Sequence, residues 1–252
     1  MEFCSLGSGS AGNALLVRTA SACVMVDCGF GRRELERRMA LRGMHPRDLT
    51  GILVTHEHSD HAGGVAALAR HYGIPVFASA GTAKAARLEE AKPVVLVPER
   101  AERIGDIEVL PVTVPHDARE PCQFVLGHAR RRLGVLTDLG SVSKLVRDHY
   151  ARCDALVLEC NHDVEMLANG PYPYPLKRRV GGDFGHLSNA QAASLLAGVE
   201  RGALQHLVAA HLSEQNNSPA KARAALEEVL GQGDERLLVA DQESGFGWLA
   251  IQ

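Results

Sequence analysis

The most informative segment of the sequence reads Val54-Thr55-His56-Glu57-His58-Ser59-Asp60-His61. It places three imidazoles and the carboxylate of Asp60 within six positions. The apolar residues 51–54 predict a short buried strand and residues 63–69 predict a helix, so the cluster lies on the turn between them. Imidazole and carboxylate are ligands of borderline and hard divalent ions such as zinc, manganese and iron. The segment therefore predicts a metal-dependent hydrolase, and the alternative is a cluster of polar surface side chains.

The spacing of these side chains indicates two metal positions. On an extended or tightly turning segment, His56 and His58 point the same way and would bind one ion. Asp60 and His61 begin the next turn and would face a neighbouring position. One loop can thus contribute to two ions.

Composition is typical of a single globular domain spanning residues 1–252. The chain has 252 residues, is 46% hydrophobic and carries a net charge of −3, so it can bury a sizeable core and has no overall basic field to attract nucleic acid. The N-terminus lacks the features of an export signal, and no apolar run approaches a membrane span. We expect a cytoplasmic protein with no membrane partner. The six cysteines form no C-x-x-C pair, and we expect them to be reduced and to pack in the core.

Short strand and helix patterns alternate along the chain. Apolar runs predict strands at residues 14–17, 23–26, 52–54, 76–78, 94–97, 107–112, 122–126, 134–136, 155–158, 206–210, 237–239 and 247–250. Helical patterns occur at residues 32–41, 64–71, 80–87, 141–149, 189–200 and 219–230. Many short strands with helices between them predict an α/β fold in which two sheets pack together between layers of helices.

Further candidate ligands also follow predicted strands. His116, Asp138 and His211 each come directly after an apolar run, as the first cluster does. Asp27 is the other acid in such a position, and we expect it to orient ligand imidazoles through hydrogen bonds rather than to bind metal itself. Each residue alone has an ordinary structural explanation, such as a cap, but together they would complete a two-metal site.

In this order the residues resemble the five-motif signature of the metallo-β-lactamase superfamily, over nearly the whole chain. The resemblance implies a four-layer αββα sandwich. It also implies that one ion is bound by His56, His58 and His116, that the other is bound by Asp60, His61 and His211, and that Asp138 bridges the two. The aspartate at 138, where antibiotic-degrading members use cysteine, argues against β-lactam resistance.

Other segments resemble the bacterial WalJ/YycJ group of this superfamily. They are Ser5–Asn13, Leu158–Asp163, Gly185–Asn189 and His211–Asn217. That group is regarded as phosphodiesterase-like, so the resemblance implies a 5′-to-3′ exodeoxyribonuclease with a proposed part in DNA mismatch repair. Its substrate would be single-stranded DNA or duplex ends.

Phosphodiester hydrolysis also needs a proton donor, and histidines outside the predicted ligand set are candidates for this role. A hydroxide held by the metals would attack phosphorus, with Asp60 orienting it, and the leaving oxygen would need a proton. His186 is our first candidate for the proton donor and His162 the second. Glu159 would hold either imidazole in the required tautomer. Capping or packing next to Gly185 is the alternative for His186.

Substrate contacts are predicted from local charge and aromatic residues. The run Lys177-Arg178-Arg179 lies shortly before His186 and would hold a phosphate backbone, unless it is simply a solvated face. Tyr172 and Tyr174 would stack on an unpaired base. Asn13, with the glycine-rich turn before it, would contact phosphate oxygens, although such a turn can equally serve only to join two strands.

Two rival functions remain open. A hydrolase acting on a small thioester or lactone would keep every metal ligand, and a metal-stabilised binding module would lack one of them. The metals would be two divalent ions, zinc or manganese, with iron also compatible. The sequence does not define the oligomeric state.

Overall fold

A computed structural model describes residues 1–252, which form fourteen strands and nine α-helices. The strands are β1 (Glu2–Gly7), β2 (Ala14–Arg18), β3 (Cys23–Val26), β4 (Gly51–Leu53), β5 (Val76–Ala78), β6 (Val94–Val95), β7 (Glu102–Ile104), β8 (Ile107–Thr113), β9 (Cys122–His128), β10 (Arg131–Leu136), β11 (Ala155–Glu159), β12 (His206–Ala210), β13 (Leu237–Val239) and β14 (Phe246–Ala250). The helices are α1 (Arg32–Ala40), α2 (Ser59–Ala62), α3 (Val65–Tyr72), α4 (Ala80–Ala85), α5 (Lys144–Tyr150), α6 (Val164–Asn169), α7 (Tyr174–Val180), α8 (Asn189–Ala197) and α9 (Pro219–Leu230).

The strands form two mixed seven-stranded sheets. The first has the order β14-β1-β2-β3-β4-β5-β6 and the second β13-β12-β11-β10-β9-β8-β7. Within the first sheet, β3, β4, β5 and β6 run parallel. Within the second, β10, β11, β12 and β13 run parallel. The carboxyl ends of neighbouring parallel strands meet at one edge of a sheet, so residues that follow those strands are brought together.

Three apolar clusters lie between the layers of sheets and helices. One fills the space between the sheets and includes Phe3, Val24, Phe124 and Val157. A second lies where α1 and α3 cover the first sheet, and a third where α5, α8 and α9 cover the second. Successive side chains of a strand point to opposite faces, so strands covered on both sides are continuously apolar. The arrangement is the predicted αββα sandwich.

Local sequence signals set the ends of several helices. Ser218 caps α9 by accepting a hydrogen bond from Lys221 N, and Pro219 occupies the first turn, as predicted. Ser188 and Gln191 form a reciprocal capping box at the start of α8. The left-handed Gly73, with φ of 70°, ends α3. These residues fix where the three helices begin or end.

Five elements were not predicted: β1, β7, α2, α6 and α7. The cluster at residues 56–61 therefore does not lie on a simple turn, because Ser59–Ala62 forms the short helix α2. The basic run 177–179 likewise lies on α7. All six cysteines are buried and unpaired, in agreement with the expected packing role. No helix in the chain combines the length and apolar character needed to cross a membrane.

Candidate metal centre and catalytic site

Strand ends from both sheets converge on one polar site. Asp27 follows β3, and residues 55–61 follow β4 in the first sheet. Asp138 follows β10, Glu159 ends β11 and His211 follows β12 in the second sheet. All five positions lie at carboxyl ends of parallel strands, which is where open α/β sheets present their chemistry.

The first group of ligand-type side chains comprises His56, His58 and His116. Each presents a ring nitrogen within 4.8 Å of the others. His58 Nδ1 lies 3.0 Å from His56 Nε2 and 3.4 Å from His116 Nε2. Three imidazole nitrogens converging on one point form a donor set suited to a divalent ion.

The second group comprises Asp60, His61 and His211, whose ligand atoms also lie within 4.8 Å of one another. Asp60 Oδ2 is 3.4 Å from His61 Nε2 and 3.5 Å from His211 Nε2. Both imidazoles are buried. The structure thus brings together the same two trios that the resemblance implied.

Asp138 lies between the two groups. Its Oδ2 is 3.1 Å from His61 Nε2, and its Oδ1 is 3.6 Å from His211 Nδ1. It also groups with His56 and His61 as one possible metal-binding set. The position is suitable for a carboxylate shared by two ions.

Unsatisfied polar atoms test whether a cation fits this site. Asp138 Oδ2 and His211 Nε2 are buried and have no hydrogen-bond partner. A buried carboxylate oxygen without a partner is costly unless a cation balances it. The nitrogen and oxygen donor set and its unpaired atoms therefore fit divalent metal ions.

Asp27 fixes the orientation of His61, a member of the second group. Its Oδ2 lies 2.8 Å from His61 Nδ1, and its two oxygens accept hydrogen bonds from Thr55 N and Oγ1, both at 2.8 Å. His61 donates Nδ1–H to this carboxylate, so Nε2 is the nitrogen left for a metal. Asp27 has φ of 61° and His211 has φ of 54°, which is unusual for residues other than glycine and often marks functional sites.

Two imidazoles of the first group are held in the same way. His116 donates Nδ1–H to Gly185 O at 2.9 Å. His56 Nδ1 lies 3.0 Å from Thr55 Oγ1. In both rings Nε2 is free to face the site. Protein partners on the opposite ring nitrogen are the usual way to fix a ligand tautomer.

Glu159 and His186 form a pair beside these ligands. His186 Nδ1 donates to Glu159 Oε1 at 2.7 Å, and Glu159 Oε2 accepts from Leu139 N and Leu187 N. Burial alone would lower the pKa of His186, but the Glu159 carboxylate outweighs it and the pKa is raised. For Glu159 the two effects have the opposite signs. Burial would raise the pKa of its carboxyl group, but the charge of His186 lowers that pKa below its usual value. Glu159 thus holds His186 with Nε2 directed away from it.

His162 has a different environment. It is 3% exposed, its Nδ1 is buried without a partner, and burial lowers its pKa to about 4. The ring is therefore neutral near pH 7, which makes it a poorer proton donor than His186.

The predicted substrate-binding residues differ in whether they line the cavity beside the candidate metal centre. A cavity of about 370 Å³ is lined by four of the candidate ligands, His58, Asp60, Asp138 and His211, and Arg179 also lines it. Lys177 and Arg178 do not: Lys177 Nζ bonds Ala168 O, and Arg178 lies over the ring of Tyr174. Asn13 is buried, its side-chain nitrogen donates to the carbonyl oxygen of Asp60 at 3.3 Å, and its backbone N donates to the same oxygen at 2.8 Å. Asn13 is thus placed to hold the ligand loop, because it has no open face toward a substrate.

Three residues of the site were not singled out from the sequence. Thr55 links Asp27 to His56, as described above. Ser10 lines the cavity. Asp117 pairs with Arg179 and lies 3.6 Å from His116 Nε2. Thr55 and Asp117 adjoin predicted ligands in the chain, a signal that could have identified them. For Ser10 the only signal was its place in the glycine-rich turn.

Comparison with known proteins agrees with this geometry. Residues 7–193 match the Metallo-beta-lactamase superfamily. The match covers most of the chain, so the protein belongs to this superfamily, and it is a metal-dependent hydrolase.

Two curated bacterial relatives resemble the chain along nearly its full length. It is 37% identical to Exodeoxyribonuclease YycJ of Bacillus anthracis over 252 residues, covering 98% of this chain and 91% of the relative. It is 32% identical to Exodeoxyribonuclease WalJ of Streptococcus pneumoniae serotype 2 (strain D39 / NCTC 7466) over 240 residues, covering 92% and 89%. These matches place it as a WalJ/YycJ-like metallo-hydrolase. Among solved structures, the metallo-beta-lactamase fold protein YhfI from Bacillus subtilis shares the fold, with a TM-score of 0.76, 16% identity and 98% of both chains covered.

Proposed function

We propose that this protein is a phosphodiesterase that removes nucleotides from the 5′ ends of DNA and takes part in DNA repair, with two divalent ions, zinc or manganese, as cofactors. The observation that carries the proposal is the arrangement around Asp138 of two trios, one of three histidines and one of two histidines and an aspartate, with the pair Glu159–His186 beside them. The exodeoxyribonuclease names of its two full-length relatives support DNA as the substrate.

The donor sets support two ions rather than one. His56, His58 and His116 would bind the first, and Asp60, His61 and His211 the second, with Asp138 shared. Divalent ions bound there would polarise a phosphoryl oxygen and lower the pKa of an attacking water. Iron is also compatible with these ligands, because geometry and availability decide between such metals.

The protein's own contribution to the reaction is to orient groups and to transfer a proton. Asp60 lines the cavity and is partly exposed, so its carboxylate would orient the attacking water as well as bind metal. His186 would donate a proton from Nε2 to the leaving oxygen, because Nδ1 is held by Glu159. His162, neutral and without this carboxylate contact, is the weaker candidate.

One basic side chain at the cavity supports a phosphate-containing substrate, provided that divalent ions balance the charges of Asp60 and Asp138. Arg179 is 58% exposed at its rim, where its guanidinium would contact a phosphate oxygen. The net charge of −3 gives the protein no overall attraction for nucleic acid. Binding would then depend on a few contacts with phosphate groups, and we expect added salt to weaken those contacts.

A panel of substrate classes tests this proposal. Protein loaded with manganese or zinc would be given 5′-phosphorylated single- and double-stranded DNA, RNA of the same sequence and a glutathione thioester. We expect hydrolysis of DNA, and loss of that hydrolysis in Asp138→Ala. Thioester turnover by metal-loaded protein that leaves DNA intact would instead identify a small-molecule hydrolase.

A further inference from the structure

The cavity over the candidate metal centre is lined by residues of two chemical kinds. The ligand-type residues His58, Asp60, Asp138 and His211 line it. So do Tyr172, Leu176 and Val180, which belong to α7 and the segment before it and are called the apolar wall. Ser10 and Arg179 add further polar groups to the lining. The same cavity therefore offers contacts for a phosphodiester and for a flat apolar group.

The size of the cavity restricts what can enter it. Its volume of about 370 Å³ is near the lower end of the roughly 300–1,000 Å³ of ligand pockets. Part of this volume would be taken by the metal ions. One nucleotide is comparable in size with this space, and a base pair with its two sugars is larger. A base whose face lies on the apolar wall would therefore have left its partner strand.

The apolar wall is held rigidly against the catalytic residues. His186 N donates to Val180 O at 2.8 Å, and a Cβ on Gly185 would lie 2.1 Å from Arg179 O. Arg179 also forms an ion pair with Asp117, the residue that follows His116. The end of α7 is thus fixed relative to His186 and the ligands, so a group bound on this wall would have a defined position.

The two tyrosines of this segment differ in position. Tyr172 is half-buried and lines the cavity, whereas Tyr174 is 71% exposed and lies beside Arg178. Of the two, only Tyr172 lines the cavity.

We propose that this cavity binds a single unpaired terminal nucleotide, with its base stacked on Tyr172 and its phosphate facing Arg179 and the metal ligands. The inference rests on the proposed nuclease function and specifies its substrate: an end whose last nucleotide is unpaired or easily unpaired. Paired ends would be hydrolysed only after fraying.

Kinetics on three matched duplexes tests the inference. Their 5′ ends carry a blunt G·C pair, a terminal mismatch or a short single-stranded overhang. We expect the mismatched and overhanging ends to be cleaved at least fivefold faster than the blunt end. Tyr172→Ala would lower kcat/KM roughly tenfold, since base–aromatic stacking is worth a factor of this order. Tyr174→Ala, the matched control, and Tyr172→Phe, which retains the ring, would change it less than twofold.

A fluorescence measurement reports the contact itself. With 2-aminopurine as the terminal base and a phosphorothioate at the scissile linkage to slow hydrolysis, stacking on Tyr172 would quench emission on binding. We expect the quench in the wild type and Tyr174→Ala and its loss in Tyr172→Ala. Equal cleavage of all three ends, or an unchanged quench in Tyr172→Ala, would overturn the inference while leaving the nuclease function intact. Failure of metal-loaded protein to cleave any DNA would instead overturn the proposed function.

Discussion

Nδ1 of His61 lies 2.8 Å from Oδ2 of Asp27, and the two side chains are 0% and 3% exposed. Neither belongs to the cavity surface, so the contact holds the loop at residues 55–61, called the ligand loop because it carries the candidate ligands, and does not face a substrate. A buried acid–imidazole pair of this kind fixes the ring and makes its other nitrogen a better ligand.

Asp27→Asn should therefore weaken metal binding. The amide keeps the size of the side chain but loses the charge, and we expect metal affinity to fall about 10- to 100-fold. Metal content after dialysis against a chelator measures this. Asp106→Asn is the matched control, because Asp106 also contacts a histidine, His128, but both side chains are partly exposed and lie away from the candidate metal centre. Equal metal retention in both variants would show that Asp27 does not orient a ligand.

Gly29→Ala should displace the ligand loop. A Cβ at this position would lie 1.9 Å from Asp60 O, so the backbone that carries Asp60 and His61 would have to move. We expect a loss of about 1–3 kcal/mol in the free energy of unfolding, as for other overpacked sites, together with reduced metal content. Gly31→Ala has no atom within 4 Å of the added Cβ and should change stability by less than about 0.5 kcal/mol. Similar urea midpoints for the two variants would contradict this account.

His186→Ala should lower turnover and leave metal content intact. Positioned general acids contribute roughly 10²- to 10⁴-fold, and we expect a fall in kcat within that range. Glu159→Gln, which removes the charge held next to His186, should give a smaller fall in the same direction. His186 also lies 3.5 Å from Asp138 Oδ1, so metal analysis of the alanine variant is essential. Loss of metal together with activity would make His186 a ligand instead of a proton donor.

His162 should make the protein sensitive to mild acid. Its pKa is about 4 in the folded protein against 6.5 as its ordinary value, so the unfolded chain binds the proton more readily. The stability contributed by the neutral ring is present above pH 6.5 and is lost as the pH falls toward 4. Relative to His162→Gln, the wild type should lose roughly 2 kcal/mol in the free energy of unfolding between pH 7.5 and pH 5.

Urea unfolding at the two pH values measures this difference. His71→Gln is the control for replacing a histidine by glutamine, because His71 is exposed on α3. Parallel behaviour of the wild type and His162→Gln would contradict the assignment of His162 as a buried neutral ring.

The sequence predicted the strands and helices with strong periodicity and the residues at strand ends. The strands at residues 23–26, 76–78, 206–210 and 237–239 and the helix at 219–230 have the predicted bounds, because apolar runs and an N-cap define them. The ligand-type residues were recognisable since histidine and aspartate directly after apolar strands are rarely all structural. Whether each of them binds metal stays a prediction.

The elements that escaped prediction have weak local signals. β1 has only two large apolar residues, Phe3 and Leu6, which are three positions apart and follow no strand period, and it pairs with the distant β14. α2 has only four residues, too few for a helical period. α7 contains Pro175 and buries no residue, so it lacks an apolar stripe, although its position decides which basic and aromatic residues reach the cavity. Tertiary contacts of this kind cannot be derived from local sequence.

The most direct test of the account is product analysis with DNA labelled at either end. Manganese- or zinc-loaded protein and its Asp60→Ala variant would be incubated with 5′-phosphorylated single- and double-stranded DNA, and the products resolved at single-nucleotide resolution. We expect stepwise release of mononucleotides from the 5′ end by the wild type and none by Asp60→Ala. Internal fragments, release from the 3′ end, or intact DNA in the presence of metal-replete wild-type protein would contradict the proposed 5′ exodeoxyribonuclease.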